Sequence, residues 1–326
     1  MAGIGEYRRF GKTDLKVSVL GFGASSLGGA FKDCEEEAGI RAVREAIDLG
    51  INFIDTSPFY GLTKSETVLG KALKGIPRDK YVLASKAGRY GYKIEDFDFS
   101  EKRVLASVEE SLQRLGIDAI DVVQVHDMEF GDAAQIVNET IPALRKARRQ
   151  GKVRYVGVTA LPLPLLKRVS AEAEVDTIQS YCHYCLNDTS LDDYIADFQA
   201  KDLGIISSAP LSMGLLTIQG PPHWHPAPVE VRETCAKAAR YCREKGADLS
   251  KLALQFAVAN PNIHTCLAST TKAERVRQNV QTISEPMDED LLSEVLDILK
   301  PIHNATWPQG RPENNDPEVV ASYRAP

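Results

Sequence analysis

The sequence predicts an α/β fold of the (β/α)8 TIM-barrel type, in which eight parallel strands close into a ring that helices surround. Two observations predict it. Short apolar, β-branched runs alternate with segments of helical periodicity almost to the end of the 326-residue chain, and no Gly- or Ser-rich linker or change of composition divides it. We therefore expect one barrel domain over residues 1–326 rather than two doubly wound sheets.

The predicted strands are short and apolar, as strands buried on both faces should be. In chain order they cover residues 17–24, 51–57, 81–87, 120–126, 153–159, 177–182, 204–210 and 264–270. The segments between them are amphipathic. In one of them an apolar stripe follows the N-cap candidate Ser100 and consists of Leu105, Val108, Leu112 and Leu115.

Three stretches fall outside the eight units. Residues 8–16 read as a hairpin that turns at Gly11-Lys12-Thr13-Asp14, and residues 219–229 form a Pro-rich loop. The tail after Lys300 either covers the barrel mouth or is ordinary surface. In barrels the chemistry gathers at the C-terminal ends of the strands, so candidate functional residues are sought there.

Charge and hydropathy argue against two kinds of partner. The chain has 39 Lys and Arg against 45 Asp and Glu, a formal net charge of −6, and no basic block interleaved with aromatic residues, so we expect no nucleic-acid partner. The most apolar stretch, residues 153–166, contains Pro162 and Pro164 and has no membrane-length span. The N-terminal MAGIGEYRRFG lacks the apolar run of a signal peptide, which favours a cytoplasmic protein with no membrane partner.

The cysteines and histidines do not form a metal-ligand pattern. Six scattered cysteines are too sparse for a disulfide framework, and we expect them to be reduced and structural. The segment Cys182-His183-Tyr184-Cys185 has no second ligand pair at a suitable spacing, and His223-Trp224-His225 lacks further ligands. We expect no metal and interpret the latter segment as surface or a substrate lid.

Four polar residues follow the ends of three neighbouring predicted strands: Asp55, Tyr60, Lys86 and His126. A charged Lys in a buried strand is costly unless it is paired, and Asp55 is its natural partner. Taken alone, Asp55 and Lys86 could form a structural salt bridge, and a lone His or Tyr could be an ordinary hydrogen-bonding group. Together the four residues favour proton transfer.

The chemistry would depend on the pKa of Tyr60. A cation about 4 Å from a phenol, at an effective dielectric of about 20, favours the phenolate by roughly 4 kcal/mol, or about 3 pKa units. Lys86 is thus expected to bring Tyr60 from about 10 to near 7, where it exchanges protons with an alcohol or carbonyl.

With these residues the chain resembles the aldo-keto reductase family over nearly its whole length. The four candidates match the catalytic tetrad of that family. The supporting motifs, in chain order, are Gly21-Phe22-Gly23, residues 55–61, Gly157-Val158-Thr159, Ala209-Pro210-Leu211, Gly214-Leu215-Leu216 and residues 275–279. The resemblance implies a nicotinamide cofactor held by loops at the barrel mouth, and the sequence indeed has no GxGxxG opening a βαβ unit.

The resemblance also implies which residues bind the cofactor. They are Gly23, Asp55, Thr159, Gln179, Ser208, Pro210, Leu211, Gly214, Leu216, Ser269, Thr271, Arg275, Gln278 and Asn279. Thr271-Lys272-Ala273-Glu274 has the spelling of a capping box, which predicts a helix N-terminus at the adenosine end of the cofactor. Without the resemblance, that helix reads as a surface helix with scattered polar residues.

The expected cofactor is NAD. NADPH-preferring relatives usually carry a Lys at the position aligned with Ser269, and a serine cannot supply that charge to a 2′-phosphate. Two family features are also missing, since Ala160 aligns with the carboxamide-binding Asn and Ser208 with an aromatic residue that often stacks on the nicotinamide. Tyr181 or Tyr184 either supplies that stacking or belongs to the core.

The expected substrate is a free sugar. Residues 126–131, residues 180–184 and the Trp307-Pro308 tail resemble the plant branch of the family that oxidises L-galactose at C1 to L-galactono-1,4-lactone, on the way to ascorbate. Tyr60 would take the hydroxyl proton, and a neutral His126 would position the substrate oxygen. Asp127 and Glu129 would accept hydrogen bonds from sugar hydroxyls, or are simply solvated.

Two other functions stay open from the sequence. An NADPH-dependent aldehyde or carbonyl reductase would share the tetrad and differ in cofactor preference. A non-enzymatic nucleotide-sensing subunit, like the channel-associated members of the family, would share the fold.

Overall fold

The chain forms a closed barrel of parallel strands, seen in a computed structural model that describes residues 5–29 and 34–325. The strands are β1 (Tyr7–Arg9), β2 (Lys16–Ser18), β3 (Leu20–Gly23), β4 (Phe53–Asp55), β5 (Val82–Ala87), β6 (Ile120–Val125), β7 (Val153–Thr159), β8 (Thr177–Tyr181), β9 (Gly204–Ser208) and β10 (Thr265–Ser269). Strands β3 to β10 pair in order around the ring, and β10 pairs with β3 to close it. The predicted fold class is confirmed.

The predicted strands correspond to the observed ones with one correction. Residues 17–24 were predicted as one strand, but the chain leaves the antiparallel hairpin of β1 and β2 at Ser18 and enters the barrel at Leu20. Most of the other strands end one or two residues before their predicted ends. The residues left over begin the loops at the barrel mouth.

The helices surround the barrel. They are α1 (Glu36–Asp48), α2 (Lys64–Leu73), α3 (Glu101–Leu115), α4 (Ala133–Gln135), α5 (Ile141–Arg149), α6 (Leu163–Glu172), α7 (Asp192–Gln199), α8 (Val229–Glu244), α9 (Leu249–Ala259), α10 (Ala273–Ser284), α11 (Glu289–Leu299) and α12 (Pro317–Ser322). The predicted cap of α3 is confirmed, because the Ser100 side chain accepts a hydrogen bond from the Arg103 N–H.

The N-terminal hairpin closes the end of the barrel at which the strands begin. Phe10 and Val17 are fully buried against inward-facing residues of the strands, including Phe53 and Ile206. The Phe10 and Phe53 rings meet edge to face at 5.5 Å. This end is therefore sealed, and the opposite end, where the strands finish, is the open mouth.

The C-terminal tail crosses one side of the mouth. Asn314 Nδ2 donates to the carbonyls of Glu129 and Gly131, both at 2.9 Å, and the Arg311 N–H donates to the Glu129 carbonyl at 2.9 Å. Gly310 has φ +73°, and a Cβ there would lie 2.4 Å from the Glu129 oxygen, so only glycine fits this approach. Of the two readings of the tail, the structure favours a cover over the loop after β6.

The Pro-rich loop differs from the surface interpretation at one residue. His225 is only 1% exposed; its Nδ1 accepts from the Ala227 N–H, and its ring meets the edge of Trp307. It therefore ties this loop to the tail, while Trp224 beside it is half exposed.

All six cysteines are free thiols and are buried. Among residues 5–29 and 34–325, no three His, Cys, Asp or Glu side chains come together as a possible metal site. In the same part of the chain, no helix has the length and apolar character needed to cross a bilayer.

Candidate active site

The four tetrad candidates meet at the barrel mouth. Asp55 ends β4, Lys86 lies in β5, His126 follows β6, and Tyr60 lies in the loop after β4. Lys86 Nζ lies 2.5 Å from Asp55 Oδ1 and 4.9 Å from the centre of the Tyr60 ring. The Tyr60 and His126 rings stand perpendicular with their centres 5.7 Å apart. The chain positions that the sequence suggested thus converge in space.

Lys86 and Asp55 form a buried ion pair, each 2% exposed. Lys86 also donates to the Thr56 carbonyl at 2.9 Å, and Gln124 Nε2 donates to Asp55 Oδ2 at 3.3 Å. Burial lowers the pKa of Lys86, but the charges and hydrogen bonds of Asp55 and Tyr60 together outweigh it, so the net shift is upwards and the amine stays charged. Burial raises the pKa of Asp55, and the contact with the charged amine opposes that shift.

The pKa of Tyr60 contradicts the sequence-based expectation of a value near 7. Burial raises the pKa of Tyr60 to about 12, although the charge of Lys86 and its hydrogen bond lower it. The negative charges of Asp55 and Asp127 raise it further. The expectation failed because it left out the burial of the phenol, which is the largest contribution, and the charges of Asp55 and Asp127, which oppose that of Lys86.

His126 is held as a neutral ring. Ser57 Oγ lies 3.0 Å from His126 Nδ1 and also accepts from the Phe59 N–H at 3.0 Å, so its own proton is directed at Nδ1. Nε2 then carries the ring proton and can donate it to a substrate oxygen. Burial lowers the pKa of His126 to about 3, with the nearby Asp127 opposing the shift. A neutral His126 was expected from the sequence.

Asp127 lies beside His126 and pairs with an arginine. Its Oδ2 lies 2.5 Å from Arg89 NH1 and 3.7 Å from His126 Nε2. Burial raises the pKa of the Asp127 carboxyl, but the interactions with His126 and then with Arg89, which also donates a hydrogen bond, outweigh it, and the net shift is downwards. Asp127 is therefore an ionised acceptor within a few ångströms of the catalytic candidates.

Glu129 is fully buried rather than solvated. Its Oε1 accepts from the Leu161 N–H at 3.2 Å, from Tyr181 Oη at 3.3 Å and from Gln309 Nε2 at 3.3 Å. Burial, and then the charge of Asp127, raise the pKa of Glu129 well above its usual value. Tyr184, the other tyrosine considered for cofactor stacking, packs in the core against Phe256 with ring centres 5.4 Å apart.

The residues expected near a nicotinamide lie on β7, β8 and β9. Thr159 ends β7 and pairs in register with Gln179 of β8, and both are nearly buried. Gln179 Oε1 accepts from Gln124 Nε2 at 2.8 Å. Ser208 ends β9, is partly exposed and donates to the Ser180 carbonyl at 3.2 Å.

The end of β10 carries a cluster of hydroxyls. Ser269 Oγ lies 2.6 Å from Ser26 Oγ and 3.2 Å from Ser25 Oγ, in the short helix that follows Gly23. Hydroxyls both donate and accept, so the cluster suits ribose hydroxyls. The lining of this mouth therefore fits a nicotinamide nucleotide.

The predicted capping box at the start of α10 is wrong. The helix begins at Ala273 with Lys272 as its N-cap and no side-chain cap bond, so Thr271 lies outside the helix. Instead, the hydroxyl of the neighbouring Thr270 accepts a hydrogen bond from the Lys272 N–H at 3.1 Å. Three of the adenosine-end candidates do share one helix face, namely Arg275, Gln278 and Asn279.

The loop after β9 has an unusual backbone. Ala209, Ser212 and Met213 all have positive φ, at 58°, 45° and 50°. Non-glycine residues in this region carry strain that often marks ligand-binding segments. The four candidates in the loop differ in exposure: Pro210 and Leu216 are buried, whereas Leu211 and Gly214 are partly exposed.

Sequence reasoning missed three residues of the site. Ser57 fixes the His126 tautomer, Gln124 bridges Asp55 and Gln179, and Arg89 pairs with Asp127. Gln124 had a usable signal, since it is a polar residue inside the apolar strand β6 and pairs in register with Lys86. Arg89 had no signal in the sequence, because its partner Asp127 is 38 residues away in another loop.

Comparisons with known proteins agree with this geometry. A model of the aldo/keto reductase family matches residues 19–300. The L-galactose dehydrogenase of Arabidopsis thaliana is 48% identical over 95% of this chain and 99% of its own length. The D-arabinose 1-dehydrogenase of Saccharomyces cerevisiae is 33% identical over 74% of this chain and 76% of its own length.

A solved structure has the same architecture. The holo form of an aldo-keto reductase from Bacillus halodurans superposes with a TM-score of 0.76 at 27% identity. The match covers 94% of this chain and 99% of that one.

Proposed function

Because the chain belongs to the aldo/keto reductase family, a family of oxidoreductases, we propose that it oxidises L-galactose at C1 with NAD, giving L-galactono-1,4-lactone. The observation that carries the proposal is the charged Lys86 amine between Asp55 and the Tyr60 ring, beside a neutral His126. The sugar dehydrogenases of Arabidopsis and yeast among the relatives support an aldose as the substrate.

The oxidation removes a hydride from C1 and a proton from its hydroxyl. When bound, the nicotinamide nucleotide supplies the hydride acceptor, and its oxidised ring brings a positive charge to the mouth. Tyr60 Oη takes the proton, and Lys86 stabilises the phenolate form that must exist beforehand. Since the pKa of Tyr60 is about 12 without cofactor, only a small fraction of the enzyme is in that form at neutral pH.

The neighbouring residues hold the substrate in place. The Nε2 proton of His126 is donated to the C1 oxygen and directs it at Tyr60. Asp55 keeps Lys86 charged and fixes its direction. Asp127 accepts a hydrogen bond from a sugar hydroxyl, which a buried, ionised carboxylate does strongly.

The residues proposed to hold NAD line the strand ends from β3 to β10 and reach the first turns of α10. Gly23, Thr159, Gln179 and Ser208 would face the nicotinamide half, the loop from Pro210 to Leu216 the pyrophosphate, and Ser269 with α10 the adenosine half. The hydroxyls of Ser25, Ser26 and Ser269 suit a free ribose diol better than a 2′-phosphate, which needs a cation.

The choice of NAD is testable at Ser269. Ser269→Lys should raise the ratio of NADP to NAD efficiency by about tenfold, since one charge-assisted phosphate contact supplies roughly 1.5 to 3 kcal/mol. Gln281→Lys, near the end of α10, adds the same charge farther from β10; it is the matched control and should leave the ratio unchanged. An unchanged ratio in both variants would remove Ser269 from the nucleotide site.

The function itself is tested by the rate of NADH or NADPH formation with L-galactose, D-galactose, L-fucose and D-arabinose. We expect strong preference for NAD and L-galactose. Activity only as NADPH-dependent aldehyde reduction would leave the barrel and tetrad but overturn the sugar assignment. No turnover in either direction would favour a nucleotide-sensing subunit. We further propose that residues 1–326 act as one domain in the cytoplasm, where six free thiols stay reduced.

A further inference from the structure

Arg89 is held rigidly at the mouth by aromatic rings and a carboxylate. Its guanidinium carbon lies 3.6 Å from the centre of the Phe59 ring and 5.1 Å from that of Phe97. Its NH1 donates to Asp127 Oδ2 at 2.5 Å, and its side chain is 18% exposed. A guanidinium has five N–H donors; Nε donates to the Gly91 carbonyl at 3.4 Å and NH1 to Asp127, which leaves NH2 for a ligand.

Asp127 is equally constrained and has an unused oxygen. Its backbone is left-handed, at φ 47° and ψ 55°, a conformation that Asp adopts more readily than most other residues. Oδ2 accepts a hydrogen bond from Arg89 NH1, whereas Oδ1 has no hydrogen-bond partner among residues 5–29 and 34–325. Oδ1 is not one of the buried polar atoms that lack a partner, so it is open to the barrel mouth, where a ligand hydroxyl can donate to it.

We propose that Arg89 and Asp127 together form a subsite for adjacent hydroxyls of an aldose, with Asp127 Oδ1 accepting and Arg89 donating. This inference rests on the proposed function and makes Arg89 a specificity-determining residue for it. A hydroxyl both donates and accepts, so two neighbouring hydroxyls match a carboxylate and guanidinium held side by side. Because rings and backbone already fix both groups, little ordering is needed on binding.

The position of the pair selects which hydroxyls it meets. Asp127 Oδ2 is 3.7 Å from His126 Nε2, the atom that donates to the C1 oxygen. The hydroxyl nearest to C1 is the one on C2, so the proposal places the C2 hydroxyl between the two groups, accepting from Arg89 and donating to Asp127 Oδ1, with the next hydroxyl of the sugar beside it. A simple aldehyde lacks these hydroxyls and makes neither contact, so it gains none of the binding that an aldose obtains from this subsite.

The pair differs from a structural one elsewhere in the chain. Arg78 also lies over a ring, 4.8 Å from the centre of Tyr81, and also pairs with a buried carboxylate, Asp121, at 2.5 Å. There both carboxylate oxygens are used, by Arg154 and by the Leu83 N–H as well as Arg78. Arg78 is therefore the matched control for Arg89.

The test compares L-galactose with 2-deoxy-L-galactose, which lacks only the C2 hydroxyl. Arg89→Met should lower kcat/KM for L-galactose by about 30-fold or more, but that for the deoxy sugar by less than about threefold, since one charged contact to the hydroxyl is lost. Arg89→Lys should restore part of the discrimination, because it keeps the charge but not the planar fork. Arg78→Met should leave the ratio of the two sugars unchanged.

The outcomes distinguish a failure of the Arg89–Asp127 subsite from a failure of the proposed function. Equal losses with both sugars in Arg89→Met would make Arg89 merely structural and overturn the subsite. If that variant does not fold, Asp127→Asn gives the same readout with little change of volume, and an unaltered sugar ratio there would also overturn it. No oxidation of either sugar by the unaltered enzyme would instead overturn the proposed function, and the subsite with it.

Discussion

Each end of the barrel carries an ion pair between an arginine and a buried aspartate. The two pairs differ in how many oxygens of the carboxylate accept hydrogen bonds from the protein. At the sealed end, Asp121 accepts from Arg78 at 2.5 Å, from Arg154 at 2.8 Å and from the Leu83 N–H at 2.8 Å. At the mouth, Asp127 accepts from Arg89 at 2.5 Å, and its second oxygen has no partner in the described part of the chain. The protein itself occupies both oxygens of Asp121, whereas one oxygen of Asp127 stays open at the mouth and can accept a hydrogen bond from a ligand.

The backbone shows the same division. Of the non-glycine residues with positive φ, seven lie in loops that follow β4, β6, β8 or β9: Leu62, Thr63, Asp127, Cys182, Ala209, Ser212 and Met213. Asp202, by contrast, precedes β9 at the sealed end. Strain is thus concentrated where strands finish, which is also where barrel enzymes place their chemistry.

The largest expected effect is at Tyr60, which belongs to the mouth. Tyr60→Phe removes one oxygen and should lower kcat by about 10³-fold, because general acid–base catalysis contributes roughly 10²- to 10⁴-fold. Its free energy of unfolding should hardly change, since the ring is kept. Steady-state kinetics and urea unfolding on the same sample measure both. Activity within about tenfold of the unaltered enzyme would exclude Tyr60 as the base.

Asp121→Asn, at the sealed end, should lower the free energy of unfolding and leave the activity nearly unchanged. It keeps an acceptor for the Leu83 N–H but leaves two arginines facing a neutral group, and we expect a loss of about 2 to 4 kcal/mol in the free energy of unfolding. Its kcat/KM should stay within about twofold of the unaltered enzyme. A large loss of activity without loss of stability would contradict the division between the two ends.

The sequence was sufficient to predict the fold and to select four tetrad candidates that come together in space. Apolar strands have a clear pattern, and Asp55, Lys86 and His126 are polar residues at strand ends, a local signal. The pKa of Tyr60 was predicted wrongly because it depends on burial and on the balance of one cation against two carboxylates, all set by tertiary distances. The Arg89–Asp127 pair joins two loops and leaves no trace in either one.

The corrected pKa of Tyr60 predicts how oxidation responds to pH. With a pKa of about 12 in the free enzyme, the phenolate fraction rises with pH across the neutral range, by up to tenfold per unit. kcat/KM for the sugar should therefore rise from pH 6 to pH 8. His126, with a pKa of about 3, stays neutral throughout and adds no step. A flat profile, with the hydride step shown to be rate-limiting by a C1-deuterated sugar, would contradict Tyr60 as the proton acceptor.

The smallest effect is expected at Glu129, a buried carboxyl of the mouth that contrasts with Asp121. Its pKa is raised by burial, so the folded state holds a proton that the unfolded chain releases above about pH 4.5, and its contribution to stability falls as pH rises towards the folded pKa. Glu129→Gln mimics the protonated acid and removes this dependence.

The free energy of unfolding of Glu129→Gln should match that of the unaltered enzyme within about 1 kcal/mol at pH 5, where both side chains are neutral in the folded state. From pH 5 to pH 8 the variant should become the more stable of the two, as urea unfolding at each pH would show. A stability gap in the opposite direction would mean that Glu129 is ionised and stabilised by its partners. Glu129 at the mouth would then be held by its hydrogen-bond donors in the same way as Asp121 at the sealed end.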